Sequence, residues 1–209
     1  MAFPDPVLDQ LIDILAKEDD RIPDSRITVL DKLASYINQE LKSGEPVRLN
    51  FICTHNSRRS QMAQIWAYTA ATQYQVPRFE AYSGGTEITY FHPNAVQAMR
   101  TLGFRFLLQR DHQNPTNPHY EVVIGTGIPP LICYSKQFED AIPSGKAFTA
   151  IITCSEAEKN CPVVPGAKSR FPLTYEDPKK NDGTSQEEKG YLKTAVEIGR
   201  ELIYVFRNV

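Results

Sequence analysis

The sequence predicts an α/β fold with a mostly parallel sheet, and three observations carry that reading. Strand-like runs alternate with helix-like runs along most of the 209 residues. The run from Pro46 to Cys53 (PVRLNFIC) passes through a short polar turn directly into a helical stretch. A second β-branched run, AFTAIITC (147–154), recurs far downstream, as a sheet interrupted by helices requires.

Taken in order, residues 5–17 and 25–43 both carry helical periodicity. In the second, Ile27, Leu30, Leu33, Ile37 and Leu41 share one stripe, with Asp24 or Ser25 as the expected cap and Gly44 as the stop. These helices (1–46) read as an N-terminal extension of a single domain spanning 1–209, packed by their apolar stripes onto the main body. The strand at 47–53 is followed by the turn THNSRR and a helix from Ser60 to about Tyr74. FEAYS (79–83) is a strand leading into Gly84 and Gly85. Pro93 opens a helix that Gly103 closes. Within about 113–146, HYEVVIG and LICYSKQF, joined by GTGIPP, read as an inserted β-hairpin. After Thr184, expected to form a capping box with Glu187, a last helix runs to about residue 207.

Composition narrows the function. Hydrophobic residues at 41% and charged residues at 23% are ordinary for a soluble globular protein. A net charge of −2 argues against a nucleic-acid partner, so any bound anion needs a local site. No run of about 20 apolar residues points to a membrane span, and MAFPDPVLDQ has no signal-peptide pattern. The cytoplasm is therefore the expected compartment. There the four cysteines read as reactive, metal-binding or buried rather than as a disulfide framework.

The chemistry concentrates at FICTHNSRRSQMA. Cys53 stands where a strand ends and Arg59 where a helix begins. The bare spacing of six is common by chance, and the context is what makes it informative. A strand–loop–helix turn aims backbone N–H groups and the positive helix end at one point, which suits a tetrahedral oxyanion. A cysteine in that place is expected to be a low-pKa thiolate. Arg59 supplies a planar fork for two oxygens. Ser60 is placed to hydrogen-bond the sulfur, Asn56 to brace the loop, and Thr54, His55, Ser57 and Arg58 complete the oxyanion-binding segment.

This segment resembles the phosphate-binding loop of the low-molecular-weight protein tyrosine phosphatases and thioredoxin-coupled arsenate reductases. SGGTE (83–87) and HPNAVQAMRTLGF (92–104) resemble later parts of the same superfamily. The resemblance covers about 48–112 and 147–205, and implies a four-stranded parallel sheet flanked by helices. TYEDPKKNDG offers Glu176, Asp177 and Asp182 as acids, and the family's Asp-Pro pair selects Asp177 as proton donor. Lys179 stands where the phosphatases usually carry an aromatic residue, which speaks against a phosphotyrosine substrate.

The remaining cysteines sharpen the choice. Cys154 and Cys161 lie seven apart around a polar helix-like segment, too far for a disulfide without unwinding and wrongly spaced for zinc. Buried packing is the plain alternative, and Cys133 is read that way. CSEAEKNCP, however, is similar to the redox segment of the thioredoxin-coupled arsenate reductases. The resemblance implies that Cys53 attacks arsenate held by the loop and Arg59, with Asp177 protonating the departing oxygen. It further implies that Cys154 and Cys161 then relay a disulfide to a thioredoxin-like reductant. A phosphomonoester phosphatase using the same Cys53, Arg59 and Asp177 is the alternative enzyme. A non-catalytic oxyanion-binding module is a third reading. No cofactor or metal is expected, and oligomeric state is not legible.

Overall fold

A computed structural model describes residues 6–109, 114–160 and 163–209. Four parallel strands form the main sheet in the order β2 (Phe79–Gly85), β1 (Val47–Cys53), β6 (Phe148–Ile152), β7 (Ala167–Pro172). The chain leaves β1 toward β2 on one side and returns to β6 on the other, so strand order reverses around the carboxyl end of β1. Open α/β sheets present their ligand crevice at such a point. Cys53 is the last residue of β1.

Alternation along β1 divides its side chains between two apolar layers. Val47, Leu49 and Phe51 face the helical layer, while Ile52 and Cys53 join a smaller cluster with Phe138, Ile152, Cys154 and Ala157. The helical layer centres on α3 (Arg59–Gln73), buried on nearly every side between the sheet and α6 (Glu187–Arg207). Its Trp66 lies so close to Gly199 of α6 that a Cβ there would sit 2.6 Å from the indole. α1 (Pro6–Leu15) and α2 (Asp24–Lys42) bury Leu8, Ile12, Leu15, Leu30, Leu33 and Ile37 in the same core. α4 (Pro93–Thr101) opens on the expected proline, and Gly103 follows its end at φ +95°.

The expected hairpin is present as β4 (Tyr120–Val123) and β5 (Leu131–Cys133), but β4 also pairs with β3 (Arg105–Leu108). The insertion is therefore a three-stranded antiparallel sheet with β4 in its centre. Its first strand is short and mostly exposed, with only Phe106 buried, and leaves little periodic signal. β7, a half-exposed edge strand carrying Lys168 and Arg170, escaped the residue-level reading for the same reason.

Two cap expectations are corrected. α2 is preceded by Pro23 in extended conformation, with Asp24 already inside the helix and no side-chain cap. α6 begins at Glu187, so Thr184 stands one turn early. The Thr184 hydroxyl accepts from Gln186 N–H at 3.2 Å, and the Glu187 carboxylate accepts from Gly183 N–H at 2.6 Å. Both groups serve the preceding turn.

Candidate active site

β1, the loop 54–58 and the start of α3 bring Cys53, Asn56, Arg58, Arg59 and Ser60 together, all of them buried. Cys53 Sγ lies 3.1 Å from Ser60 Oγ, as expected of the residue after the arginine. Asn56 turns the chain at φ +44°, a left-handed conformation that asparagine adopts more readily than most residues. Its amide donates to Ser60 Oγ at 2.9 Å and its carbonyl accepts from Gln61 Nε2 at 3.1 Å and Lys136 N–H at 3.0 Å. Among the described residues the backbone N–H groups of His55, Ser57 and Arg58 make no hydrogen bond. Free donors at the head of a long helix are what an oxyanion needs.

The loop is backed by two segments. Gly85 lies so near that a Cβ would meet Asn56 N and Thr54 O at 2.7 Å, and Thr54 O accepts from Glu87 N–H at 2.8 Å. Behind it runs Tyr134–Phe138, the return arm of the insertion. Ser135 Oγ donates to His55 O at 2.9 Å, Gln61 Nε2 to Tyr134 O at 2.7 Å, and Gly85 N–H to Lys136 O at 2.9 Å. A Cβ on Gly84 would fall 2.2 Å from Phe138 Cα. Sequence reading missed Gln61, Ser135 and Lys136, because only contact across 73 to 80 residues reveals them.

Lys136 is 8% exposed, its ammonium donating to Tyr134 O at 3.0 Å and lying 4.3 Å over the Tyr134 ring. Burial pulls its pKa down to about 8. His55 keeps its ring outside, 3.3 Å from Glu87.

Asp177 lies against the loop, where it meets both arginines. Arg58 donates to it through Nε at 2.9 Å and Nη2 at 3.3 Å, and Arg59 through Nη2 at 2.6 Å. The other fork donor of Arg59 goes to Tyr175 O at 2.9 Å. Arg59 in this state therefore spends its fork on the protein rather than presenting it open. Burial pushes the Asp177 carboxyl up, but Arg59, the Lys179 N–H and Arg58 outweigh it and hold the group below its ordinary value. Burial lowers Arg58, and the neighbouring Asp177 carboxylate more than restores it. Glu176 pairs with Lys180, and Asp182 accepts from Tyr191 Oη at 2.9 Å, so neither alternative acid reaches the loop.

Cys154 stands two residues past the end of β6, beside the end of β1, where Thr153 N–H donates to Ile52 O at 2.8 Å. Its sulfur lies 3.7 Å from Thr54 Oγ1 and accepts from Ala157 N–H at 3.3 Å, at the start of α5 (Ser155–Asn160). Burial raises the Cys154 thiol above its ordinary value against the lowering effect of the Ala157 N–H. Cys161 lies outside the described residues. Cys133 is fully buried in the main core, its thiol pushed up to about 12 by burial.

The arrangement joins two buried sulfurs, a loop with unpaired backbone N–H groups, two guanidiniums and a carboxylate at one strand-end crevice. No protein-family model matches the chain. Among curated proteins it is 30% identical over 156 residues to the arsenate reductase of Halalkalibacterium halodurans, covering 73% of this chain and 89% of that one. The arsenate reductase of Bacillus subtilis gives the same identity and coverage. Among solved structures, a low-molecular-weight phosphotyrosine phosphatase from Vibrio cholerae O395 overlays with a TM-score of 0.48 at 15% identity, over 75% of this chain and 92% of that one. At 30% identity over nearly three-quarters of its length, this chain belongs to the arsenate reductase family.

Proposed function

We propose that the chain reduces arsenate to arsenite, with Cys53 as nucleophile and Cys154 and Cys161 as a disulfide relay. The observation that carries the reading is the second sulfur. Cys154 shares the small apolar cluster of Cys53 and touches the loop through Thr54 Oγ1. A phosphatase has no use for a thiol there.

Arsenate binds to the free N–H groups of the loop and to Arg59. The Cys53 sulfur bonds to arsenic as one oxygen leaves, protonated by Asp177. Cys154, having given up its proton, attacks the Cys53 sulfur. The sulfur–arsenic bond breaks with its electron pair passing to arsenic, releasing arsenite and leaving a Cys53–Cys154 disulfide. Cys161 attacks Cys154, frees Cys53, and leaves a Cys154–Cys161 disulfide for a dithiol protein of the thioredoxin type. The raised pKa of buried Cys154 keeps it a thiol at rest, which protects the site from closing prematurely.

Phosphomonoester hydrolysis is the second reading, favoured by the same loop and by Asp177, which need no relay. Mass mapping of disulfides after exposure to arsenate decides between them. Cys161→Ser should stop after one turnover with Cys53 bonded to Cys154, and Cys154→Ser should yield no arsenite above background. Both should still hydrolyse p-nitrophenyl phosphate, whereas Cys53→Ser should do neither. Relay mutants that reduce arsenate like the parent would sink the reductase reading.

A further inference from the structure

We infer that Arg58 is a positioning residue that holds Asp177 over the loop while Arg59 is handed from that carboxylate to the incoming oxyanion. The inference rests on the proposal that the Cys53 loop is the oxyanion site, and adds to it how the site exchanges partners.

Two guanidiniums meet the Asp177 carboxylate here, and Arg59 has a second, longer contact to Glu156 at 3.9 Å. Their contacts are unequal. Arg58 grips both carboxylate oxygens, through Nε at 2.9 Å and Nη2 at 3.3 Å. Arg59 touches only Oδ2, while its other donor stays on Tyr175 O. A single-point contact is the one an arriving anion can take without dismantling the other. Arg59 also stands next to Ser60, the partner of the Cys53 sulfur, at the head of α3. Asp177 is tethered from behind as well, its Oδ1 accepting from Lys179 N–H at 3.0 Å.

In the resting site the Asp177 carboxylate therefore stands in for the substrate anion at Arg59. Binding must displace it, and the carboxylate then keeps one guanidinium in place of two. Losing a cation raises its proton affinity, which is the direction a proton donor to the departing oxygen requires. The other groups facing it do not reverse that direction. Glu156 of α5 lies 3.9 Å from Arg59, and Tyr191 of α6 and His92 before α4 bear on the same carboxylate. Burial raises Tyr191 above its ordinary value, and burial with Arg58 lowers His92, so both are uncharged near neutrality. Lys179 and Lys180 follow in its own loop, Lys180 being paired with Glu176.

Two measurements test this. Inorganic phosphate, titrated calorimetrically against the reduced protein, should bind Asp177→Asn about tenfold more tightly than the parent, since the internal competitor has lost its charge. Binding that is unchanged or weaker overturns the exchange. The pH dependence of kcat for p-nitrophenyl phosphate reads the second part. Arg58→Gln should lower kcat and move the basic limb upward by about one pH unit, because Asp177 has lost its remaining cation. Arg58→Lys, which keeps the charge, should leave the limb near its parental position. A limb that stays put in a folded Arg58→Gln overturns the role of Arg58. A parent that binds no phosphate overturns this proposal and the oxyanion reading together. A parent that binds phosphate while Asp177→Asn binds it no better overturns this proposal alone.

Discussion

Asn56 is the residue whose replacement tests the loop most directly. It is fully buried, turns the chain at φ +44°, and joins Ser60, Gln61 and the Lys136 backbone. In Asn56→Ala, Gln61 Nε2 keeps Tyr134 O and the residue-56 carbonyl, but Lys136 N–H is left unpaired in the interior. An orphaned buried donor costs about 1–3 kcal/mol. An alanine in left-handed conformation adds roughly 1 kcal/mol. The expected loss is about 3 kcal/mol by urea unfolding. Asn56→Gly loses the same hydrogen bonds without the conformational cost, so it should be less damaged by roughly 1 kcal/mol. Asn56→Asp keeps the acceptor for Lys136 N–H but places a negative charge under the anion, so phosphate affinity should fall more than stability. If glycine proves worse than alanine, or both variants stay within about 0.5 kcal/mol of the parent, the loop is not held in the way described.

Three further outcomes follow from the same geometry. Asp177→Asn should lower turnover of p-nitrophenyl phosphate by about two to four orders of magnitude in stopped-flow or steady-state assays, and a harmless substitution would move the proton donor elsewhere. Arg26→Met should destabilise by roughly 3 kcal/mol in urea, because Glu201, whose two oxygens Arg26 holds, is left without that partner while only 3% exposed; Arg26→Met with Glu201→Gln should recover part of it. Lys136 titrates lower in the folded chain than unfolded, so the unfolded state binds more protons above about 8 and stability should rise with pH there. Cys133, raised to about 12, opposes this once its unfolded thiol ionises, and comparison with Lys136→Met over pH 7.5 to 9 isolates the lysine; equal slopes in the two proteins would refute its buried charge.

What the sequence disclosed follows from the range of the interactions. β1, the turn and α3 were legible because alternation, a polar turn and a following helix are all local signals. Asn56 and Ser60 were legible because their partners sit within five and seven residues. The meeting of Asp177 with two arginines was not, since 118 and 119 residues separate them, and Arg58 reads only as part of the oxyanion-binding segment until its carboxylate partner is seen. The third strand of the insertion was lost because Arg105–Leu108 buries only Phe106, and β7 because an edge strand tolerates lysine and arginine. The capping box at Thr184 failed by one turn, as helix starts often do when several polar residues compete.

The insertion's return arm has a consequence for how the enzyme comes into being. His55, Asn56 and Gln61 all take their bracing from residues some 73 to 80 positions later. As the chain emerges from the ribosome, β1 and α3 appear long before Tyr134–Phe138, and loop closure over that span is slow relative to local helix formation. A nascent chain ending before the insertion carries Cys53 and Arg59 but not the wall behind them. Cys53 is thus synthesised early and its surroundings are shaped late, so a fully braced loop reports that the middle of the chain has found its place.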